Sequence, residues 1–103
     1  MSRSRRSVRL APQVVAFIHA QAPETRRRLR LAFRALEQGR GDIKSLEGAL
    51  DGYHRLRVGS CRVILRYDAE STTCCVFAER RSMVYVMLEE LLDRGLRATR
   101  NPP

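Results

Sequence analysis

The 103-residue chain fits one domain, and its 44% of hydrophobic residues argues against intrinsic disorder. No apolar run reaches the roughly 18 residues that a membrane-spanning helix needs, which argues against a membrane protein of that kind and favours a cytoplasmic one. The formal net charge is +9, and every basic residue except Lys44 is an arginine. Guanidinium groups pair with phosphate bidentately, so a nucleic-acid partner is favoured, although a GC-rich genome also yields arginine-rich chains.

The first forty residues predict a short strand followed by two helices. A basic arm, residues 1–7, precedes a strand that ends at Pro12. Apolar side chains over residues 14–22 predict a first helix, and Pro23 is a suitable residue to begin a second one. The second helix has an apolar stripe at helical spacing, and the arginines off that stripe are expected to be solvated. Gly39 follows the end of this helix.

After Gly52 the hydrophobic pattern changes from helical spacing to strict alternation. Residues 42–52 are predicted to form a loop, and two strand-like runs follow it at 53–58 and 61–67. Gly59-Ser60 separates the two runs, and a two-residue connection that begins with glycine is typical of a type II′ β-hairpin.

The last part of the chain predicts one further strand and one further helix. Residues 72–78 are almost wholly apolar, which is typical of a strand buried within a sheet. Ser82 can cap a helix that Gly95 ends, and residues 96–103 are predicted to be a flexible tail. The predicted fold is α+β: a short N-terminal strand, a helical hairpin, then three antiparallel strands and a C-terminal helix packed on one twisted antiparallel sheet. A single domain over residues 8–95 would contain these elements.

Alternation within the hairpin predicts one apolar face and one arginine face. A two-residue turn pairs Val58 with Cys61 and Arg57 with Arg62, which fixes the side on which each side chain lies. The core side is expected to carry Leu56, Val58, Cys61, Val63, Leu65 and Tyr67. The other side is expected to carry Tyr53, Arg55, Arg57, Arg62 and Arg66. Like charges directly opposite each other destabilise a sheet, so a face that carries four arginines is more typical of an RNA-binding cleft than of an ordinary surface. The alternative is a solvated face whose arginines pair with carboxylates elsewhere, such as Glu79 or Glu47.

Arg80, Arg81 and Tyr85 form a second group of polar residues, just after the apolar strand. If that strand lies beside the second hairpin strand, Tyr85 and one of the two arginines come towards the arginine face, where a tyrosine can stack on a base. The alternative for Tyr85 is an ordinary half-buried aromatic residue of a helix.

The cysteines and histidines do not have the spacing of a metal site. Cys61, Cys74 and Cys75 are odd in number and form no C-x-x-C pair, so reduced, buried thiols are expected rather than disulfides. His19 and His54 have no ligand spacing with them. The sequence therefore predicts neither a metal nor any other cofactor.

Two segments resemble motifs of a known family. Residues 46–64, LEGALDGYHRLRVGSCRVI, are similar to a pattern in which L-x-G-x-x-G-Y leads into R-L-R-V-G and then Y-R-V-I-Y. Residues 80–85, RRSMVY, resemble the closing R-x-x-V-Y of the same pattern. Both are typical of the RelE/ParE toxin superfamily of type II toxin–antitoxin systems, in its RelE-like mRNA interferase branch. The order of elements resembles that family over residues 8–92.

The resemblance implies a toxin that cleaves mRNA at the ribosome without a metal, by attack of the 2′-hydroxyl on the adjacent phosphate. Arg55 and Arg57 match basic residues that would stabilise the charge of the phosphorane-like transition state. Arg62 matches an arginine that would grip the scissile phosphate. Tyr53 and Arg66, on the same predicted face, are candidates for further RNA contacts.

The resemblance also implies roles for the second polar group and a set of partners. Arg80 or Arg81 matches an arginine that would assist the leaving 5′-oxygen. Tyr85 matches a tyrosine that stacks on a base or helps to activate the 2′-hydroxyl. The expected partners are mRNA, the ribosome and a cognate antitoxin, which would form a hetero-oligomer with the toxin; no membrane is expected.

Two other functions stay open from the sequence. One is a ParE-like inhibitor that poisons DNA gyrase by binding, and the other is an inactive toxin-fold protein that only binds an antitoxin or nucleic acid. ParE-type chains generally lack the complete set of basic residues and tyrosine, which favours the ribonuclease.

Overall fold

Two α-helices and five strands make up residues 6–68 and 71–80, the part of the chain that the computed structural model describes. In chain order they are β1 (Ser7–Leu10), α1 (Pro12–His19), α2 (Pro23–Leu36), β2 (Ile43–Ser45), β3 (His54–Val58), β4 (Cys61–Asp68) and β5 (Thr72–Arg80). The predicted α+β class is confirmed. The predicted C-terminal helix and tail, and most of the N-terminal arm, lie outside the described residues.

The two helices form where the prolines and the apolar stripe predict them. Pro12 and Pro23 each occupy a first-turn position, where a missing N–H leaves no helical hydrogen bond unmade. In α2 the stripe residues Leu29, Phe33 and Leu36 are buried against the sheet. Neither α1 nor α2 is long and apolar enough to cross a membrane.

The sheet is mixed, with the strand order β1-β5-β4-β3-β2. β3, β4 and β5 are antiparallel as predicted, but β1 pairs with β5 in parallel, so the prediction of one antiparallel sheet is wrong at this edge. Strand β2 lies within the predicted loop 42–52, where Ile43–Ser45 pairs with Leu56–His54. Three residues are too few to show an alternating pattern, so the sequence contained no sign of this strand.

The β3–β4 hairpin has the predicted register. Val58 pairs with Cys61, Arg57 with Arg62, and Arg55 with Ile64. Gly59 has φ of +59°, and Ser60 is not in the left-handed region, as a type II′ turn requires.

Strand β5 contains a β-bulge that the sequence did not reveal. Ile64 pairs with Phe77, whereas the next residue, Leu65, pairs with Cys75, so Val76 is an extra residue on β5. One extra residue reverses the alternation, and Cys75 and Ala78 consequently both face the helices.

The main core cluster lies between the helices and one face of the sheet, while Ile64 and Phe77, which pair with each other, are buried on the other face. In the main cluster, Leu56, Val63 and Leu65 are at most 1% exposed and pack with the helix side chains. Tyr67, predicted to be a core residue, is 41% exposed. Alternation does place it on the side of Leu65, but at the end of the sheet, where its ring contacts Arg6 and His54.

Burial of Cys75 predicts a loss of stability at alkaline pH. Burial raises the pKa of this thiol from 9.0 to about 12, and the neighbouring Cys74 adds to the shift. The folded state favours the protonated thiol. Its contribution to the free energy of unfolding is therefore complete below pH 9 and declines by up to about 4 kcal/mol as the pH rises towards 12. Urea unfolding between pH 9 and 11 should show a smaller decline for Cys75→Ala than for the wild type; equal declines would contradict this.

Candidate nucleic-acid interface

The side of the sheet opposite the helices carries the predicted arginines. Arg57 and Arg62 pair across the hairpin and alternate with the core residues Leu56 and Val63, so they lie on the other side. The arginine face, as used below, consists of Arg9, Arg55, Arg57, Arg62 and Arg66. The backbone of three strands thus brings five guanidinium groups to one side of the sheet.

Asp42 pairs with the two arginines of β3. The Arg57 Nε lies 2.8 Å from one Asp42 carboxylate oxygen, and the Arg55 Nη2 lies 3.5 Å from the other. The Arg57 backbone N–H also donates to the Asp42 carbonyl, which holds this loop against β3. Sequence reasoning named Glu79 and Glu47 as possible partners and missed Asp42, because a loop residue fifteen positions away carries no pairing signal.

Arg55 and Arg57 differ in how accessible they are. The Arg57 side chain is 54% exposed, whereas the Arg55 side chain is 17% exposed. The Nε atom of Arg55 is buried and has no hydrogen-bond partner within the described part of the chain. Because buried donors are nearly always paired, this unpaired Nε is an exception among the described residues.

Arg62 is buried, with 9% of its surface exposed. Its Nη1 atom donates to the carbonyl oxygens of Gly59 and Cys61, both at 3.0 Å, and so braces the hairpin turn. A guanidinium has five N–H donors, and both of these bonds use the same terminal nitrogen. Arg62 therefore combines a structural role with a place on the arginine face.

Arg66 and Arg9 extend the arginine face towards the other end of the sheet. Arg66 lies 3.5 Å from Asp68, and the backbones of Arg66 and Arg9 both pair with Cys74 from opposite sides. Burial, together with the hydrogen bond and charge of Asp68, raises the pKa of the Cys74 thiol. Arg9 was missed by sequence reasoning, although its position between Val8 and Leu10 in a strand would have placed it opposite the core.

Two further predicted site residues, Tyr53 and Arg80, do not add an accessible side chain to this face. Tyr53 is 2% exposed, so its ring is not presented to a ligand. Arg80 pairs with Cys61, a core residue, so Arg80 lies on the helix side of the sheet. Burial raises the pKa of the Cys61 thiol, and the charge of Arg80 lowers it by a smaller amount. Arg81 and Tyr85 lie outside the described residues.

Among the described residues, the arginine face holds no cluster of metal ligands. Over residues 6–68 and 71–80, no three His, Cys, Asp or Glu side chains lie close enough to hold a metal ion. A cavity of about 380 Å³ is lined by residues of β1, α1 and α2, among them Leu10, Ile18 and Phe33, and therefore opens on the helix side. The arginine face also carries Lys44, opposite Arg55, and the carboxylate of Glu79, opposite Arg62, so its chemistry is that of a mainly cationic surface.

Replacing Asp42 should strengthen RNA binding. Asp42 competes with phosphate for Arg55 and Arg57, and an exposed ion pair of this kind is worth at most about 1 kcal/mol, so we expect Asp42→Asn to bind single-stranded RNA about two- to fivefold more tightly. Each added phosphate contact should steepen the plot of log affinity against log salt by about 0.7. Glu24→Gln removes the same charge on α2 and is the control. Weaker binding by Asp42→Asn alone would contradict the prediction.

Comparison with known proteins identifies the fold. No protein-family model and no curated protein matches the chain. Among solved structures, the RelBE2 toxin–antitoxin complex of Mycobacterium tuberculosis has a TM-score of 0.66 at 24% identity, over 79% of this chain and 97% of the other. The archaeal RelE–RelB complex of Pyrococcus horikoshii has a TM-score of 0.62 at 25% identity, over 75% and 96%. The YoeB–YefM complex of Staphylococcus aureus has a TM-score of 0.59 at 14% identity, over 75% and 98%.

These similarities cover nearly the whole of each solved chain. They confirm the predicted resemblance: the chain has the fold of the RelE/ParE toxin superfamily.

Proposed function

We propose that the chain is the toxin of a type II toxin–antitoxin system and a cytoplasmic, metal-independent endoribonuclease that cleaves mRNA at the ribosome. The observation that carries the proposal is the arginine face, on which Arg55 and Arg57 lie side by side and share the carboxylate of Asp42. The toxin–antitoxin structures that share the fold, and the motifs of residues 46–64 and 80–85, support the same class.

The proposed reaction needs charge stabilisation more than proton transfer from these side chains. The 2′-hydroxyl attacks the adjacent phosphorus, the bond to the 5′-oxygen breaks, and a 2′,3′-cyclic phosphate and a 5′-hydroxyl result. The phosphorane-like transition state carries extra negative charge, which guanidinium donors stabilise if they are already in position. Arginine does not deprotonate near neutral pH, so Arg55, Arg57 and Arg62 serve as donors and not as the base.

The leaving 5′-oxygen and the 2′-hydroxyl are assigned to residues after β5, and an arginine there stabilises the leaving oxygen as a hydrogen-bond donor without giving up its proton. The register puts Arg80 on the helix side, so of the adjacent arginines we assign the leaving-group role to Arg81. Tyr85 is assigned to base stacking or to activation of the 2′-hydroxyl.

A cognate antitoxin is the proposed protein partner. Two of the solved structures that share the fold are toxin–antitoxin complexes. An acidic or amphipathic segment would complement the net charge of +9 and neutralise the toxin by covering the arginine face or by displacing the predicted last helix.

Cleavage in a translating extract tests the proposal. The purified protein should cut mRNA in frame with the codons, and a chelator selective for transition metals, which leaves the Mg²⁺ of the ribosome in place, should not prevent the cuts. Arg57→Ala should remove them, while Arg27→Ala, which deletes an exposed arginine of α2, should not. DNA damage in cells without RNA cuts would indicate a gyrase-directed toxin instead, and binding to an antitoxin without either effect would indicate an inactive one.

A further inference from the structure

A stack of three flat side chains lies on the sheet side opposite the arginine face. The Arg6 guanidinium carbon lies 4.7 Å from the centroid of the Tyr67 ring, over its face. The His54 ring lies 4.7 Å from the Tyr67 ring, tilted by 54°. Tyr67 is 41% exposed, so this stack of a cation and two rings is open to solvent.

Hydrogen bonds hold the stack in a row that crosses the sheet. The Arg6 Nε donates to the Thr73 hydroxyl at 3.1 Å, and Thr73 is fully buried. The Ser45 hydroxyl lies 3.3 Å from the His54 Nδ1. The register places Ser45 opposite His54 and Tyr67 opposite Thr73, so β2, β3, β4, β5 and the residue before β1 contribute one side chain each. The Tyr67 row consists of these five residues.

The row has the chemistry of a site for single-stranded nucleic acid. Aromatic rings and guanidinium planes are the surfaces on which unpaired bases stack, and none of the five side chains is a carboxylate that would repel a phosphate. Within the described part of the chain, the Arg6 side chain donates only through Nε, which leaves its terminal nitrogens for an acceptor. Arg6, His54 and Tyr67 already contact one another, which reduces the side-chain entropy that binding a base would cost.

We propose that the Tyr67 row is a second RNA-binding site, separate from the arginine face. It takes an unpaired base against the stack and the neighbouring phosphate on the Arg6 terminal nitrogens. The proposal rests on the proposed function, because it assumes that RNA is the substrate. It concerns nucleotides outside the cleaved bond, which it would bind with little sequence preference, since every base has a flat face.

The two RNA sites meet at the end of the sheet. Arg66 and Tyr67 are consecutive in β4, and their side chains point to opposite sides of the sheet. A single RNA strand that passes around this end of the sheet would therefore contact Arg66 on one side and the Tyr67 row on the other. The row would thus lengthen the bound segment of RNA without approaching the reacting phosphate.

Binding of a short RNA that cannot be cleaved tests the proposal. A 2′-O-methylated RNA lacks the attacking hydroxyl, so its affinity reports binding alone. We expect Tyr67→Ala to bind it about tenfold or more weakly, and Tyr67→Phe, which keeps the ring, to bind it like the wild type. Arg6→Gln should weaken binding and make it less dependent on salt, whereas Arg27→Gln, an equal loss of charge on α2, should do so much less. Circular dichroism spectra should be unchanged in all four variants.

A photo-crosslink locates the contact. The same RNA with a single 4-thiouridine should crosslink to the peptide that contains Tyr67 as well as to the peptide that contains Arg57. Unchanged affinity in Tyr67→Ala, with crosslinks only at the arginine face, would overturn the second site and leave the ribonuclease intact. Equal losses in Tyr67→Ala and Tyr67→Phe, or a loss confined to antitoxin binding, would also overturn it. Failure of the wild type to cut mRNA in the extract would instead overturn the proposed function.

Discussion

Arg57→Ala is expected to reduce mRNA cleavage by about 10²- to 10³-fold while the protein stays folded, which is the loss typical of removing one donor to a transition-state oxyanion. Arg57 is the most accessible guanidinium of its strand, with 54% of the side chain exposed. Its partner Asp42 is also exposed, so the broken ion pair changes the free energy of unfolding by no more than about 1 kcal/mol. Single-turnover cleavage on stalled ribosomes measures the first effect, and urea unfolding measures the second.

Two variants separate the charge of Arg57 from its geometry. Arg57→Lys keeps the charge but has no planar pair of donors, so it should recover binding to the mRNA–ribosome complex without recovering the rate of cleavage. Arg27→Ala removes one charge from α2 and should cleave like the wild type. Wild-type rates in both Arg57 variants would show that the arginine face is an ordinary solvated surface.

The hairpin was predictable because its geometry is local. A two-residue turn determines which residues pair, and strict alternation then determines which side each faces, so Arg57 and Arg62 could be placed opposite one another from the sequence. The apolar stripe of α2 was predictable for the same reason, since helical spacing needs only neighbouring residues. The sequence alone was sufficient wherever one turn or one period decided the structure.

Contacts between distant segments were not predictable. The parallel pairing of β1 with β5 joins residues about sixty-five positions apart, as with Arg9 and Cys74, and leaves no pattern in either segment. Asp42 reaches Arg57 only because β2 pairs with β3 beside it. These pairings decide which arginines have a carboxylate partner, so the electrostatics of the site had to come from the structure.

The bulge at Val76 shows how one residue alters a candidate site. Cys75 faces the core, so simple alternation without a bulge would place residue 80 on the arginine face. Because the bulge adds one residue to β5, Ala78 and Arg80 instead both lie on the helix side. The motif of residues 80–85 left Arg80 and Arg81 equivalent, and the bulge is the physical reason to prefer Arg81.

Arg62→Ala is expected to lower both stability and cleavage, and the two losses have different causes. Its Nη1 atom donates to the carbonyls of Gly59 and Cys61 in a buried setting, so its removal leaves acceptors without a donor and should cost about 1–3 kcal/mol. For a domain of this size that corresponds to a fall in Tm of several degrees. Loss of a phosphate donor should in addition leave the folded fraction without measurable cleavage.

Gly59→Ala provides the matched control for the stability of the turn. Its φ of +59° is strained for alanine, and the added Cβ would lie 3.3 Å from the Arg28 guanidinium, so it weakens the same turn while keeping Arg62. Cleavage per folded molecule should therefore be close to wild type in Gly59→Ala and absent in Arg62→Ala, measured well below both melting temperatures. If Gly59→Ala were equally inactive, Arg62 would act through the shape of the turn and not through the phosphate. If Arg62→Ala were as stable as the wild type, its bonds to the turn would contribute nothing, and the structural half of its role would be wrong.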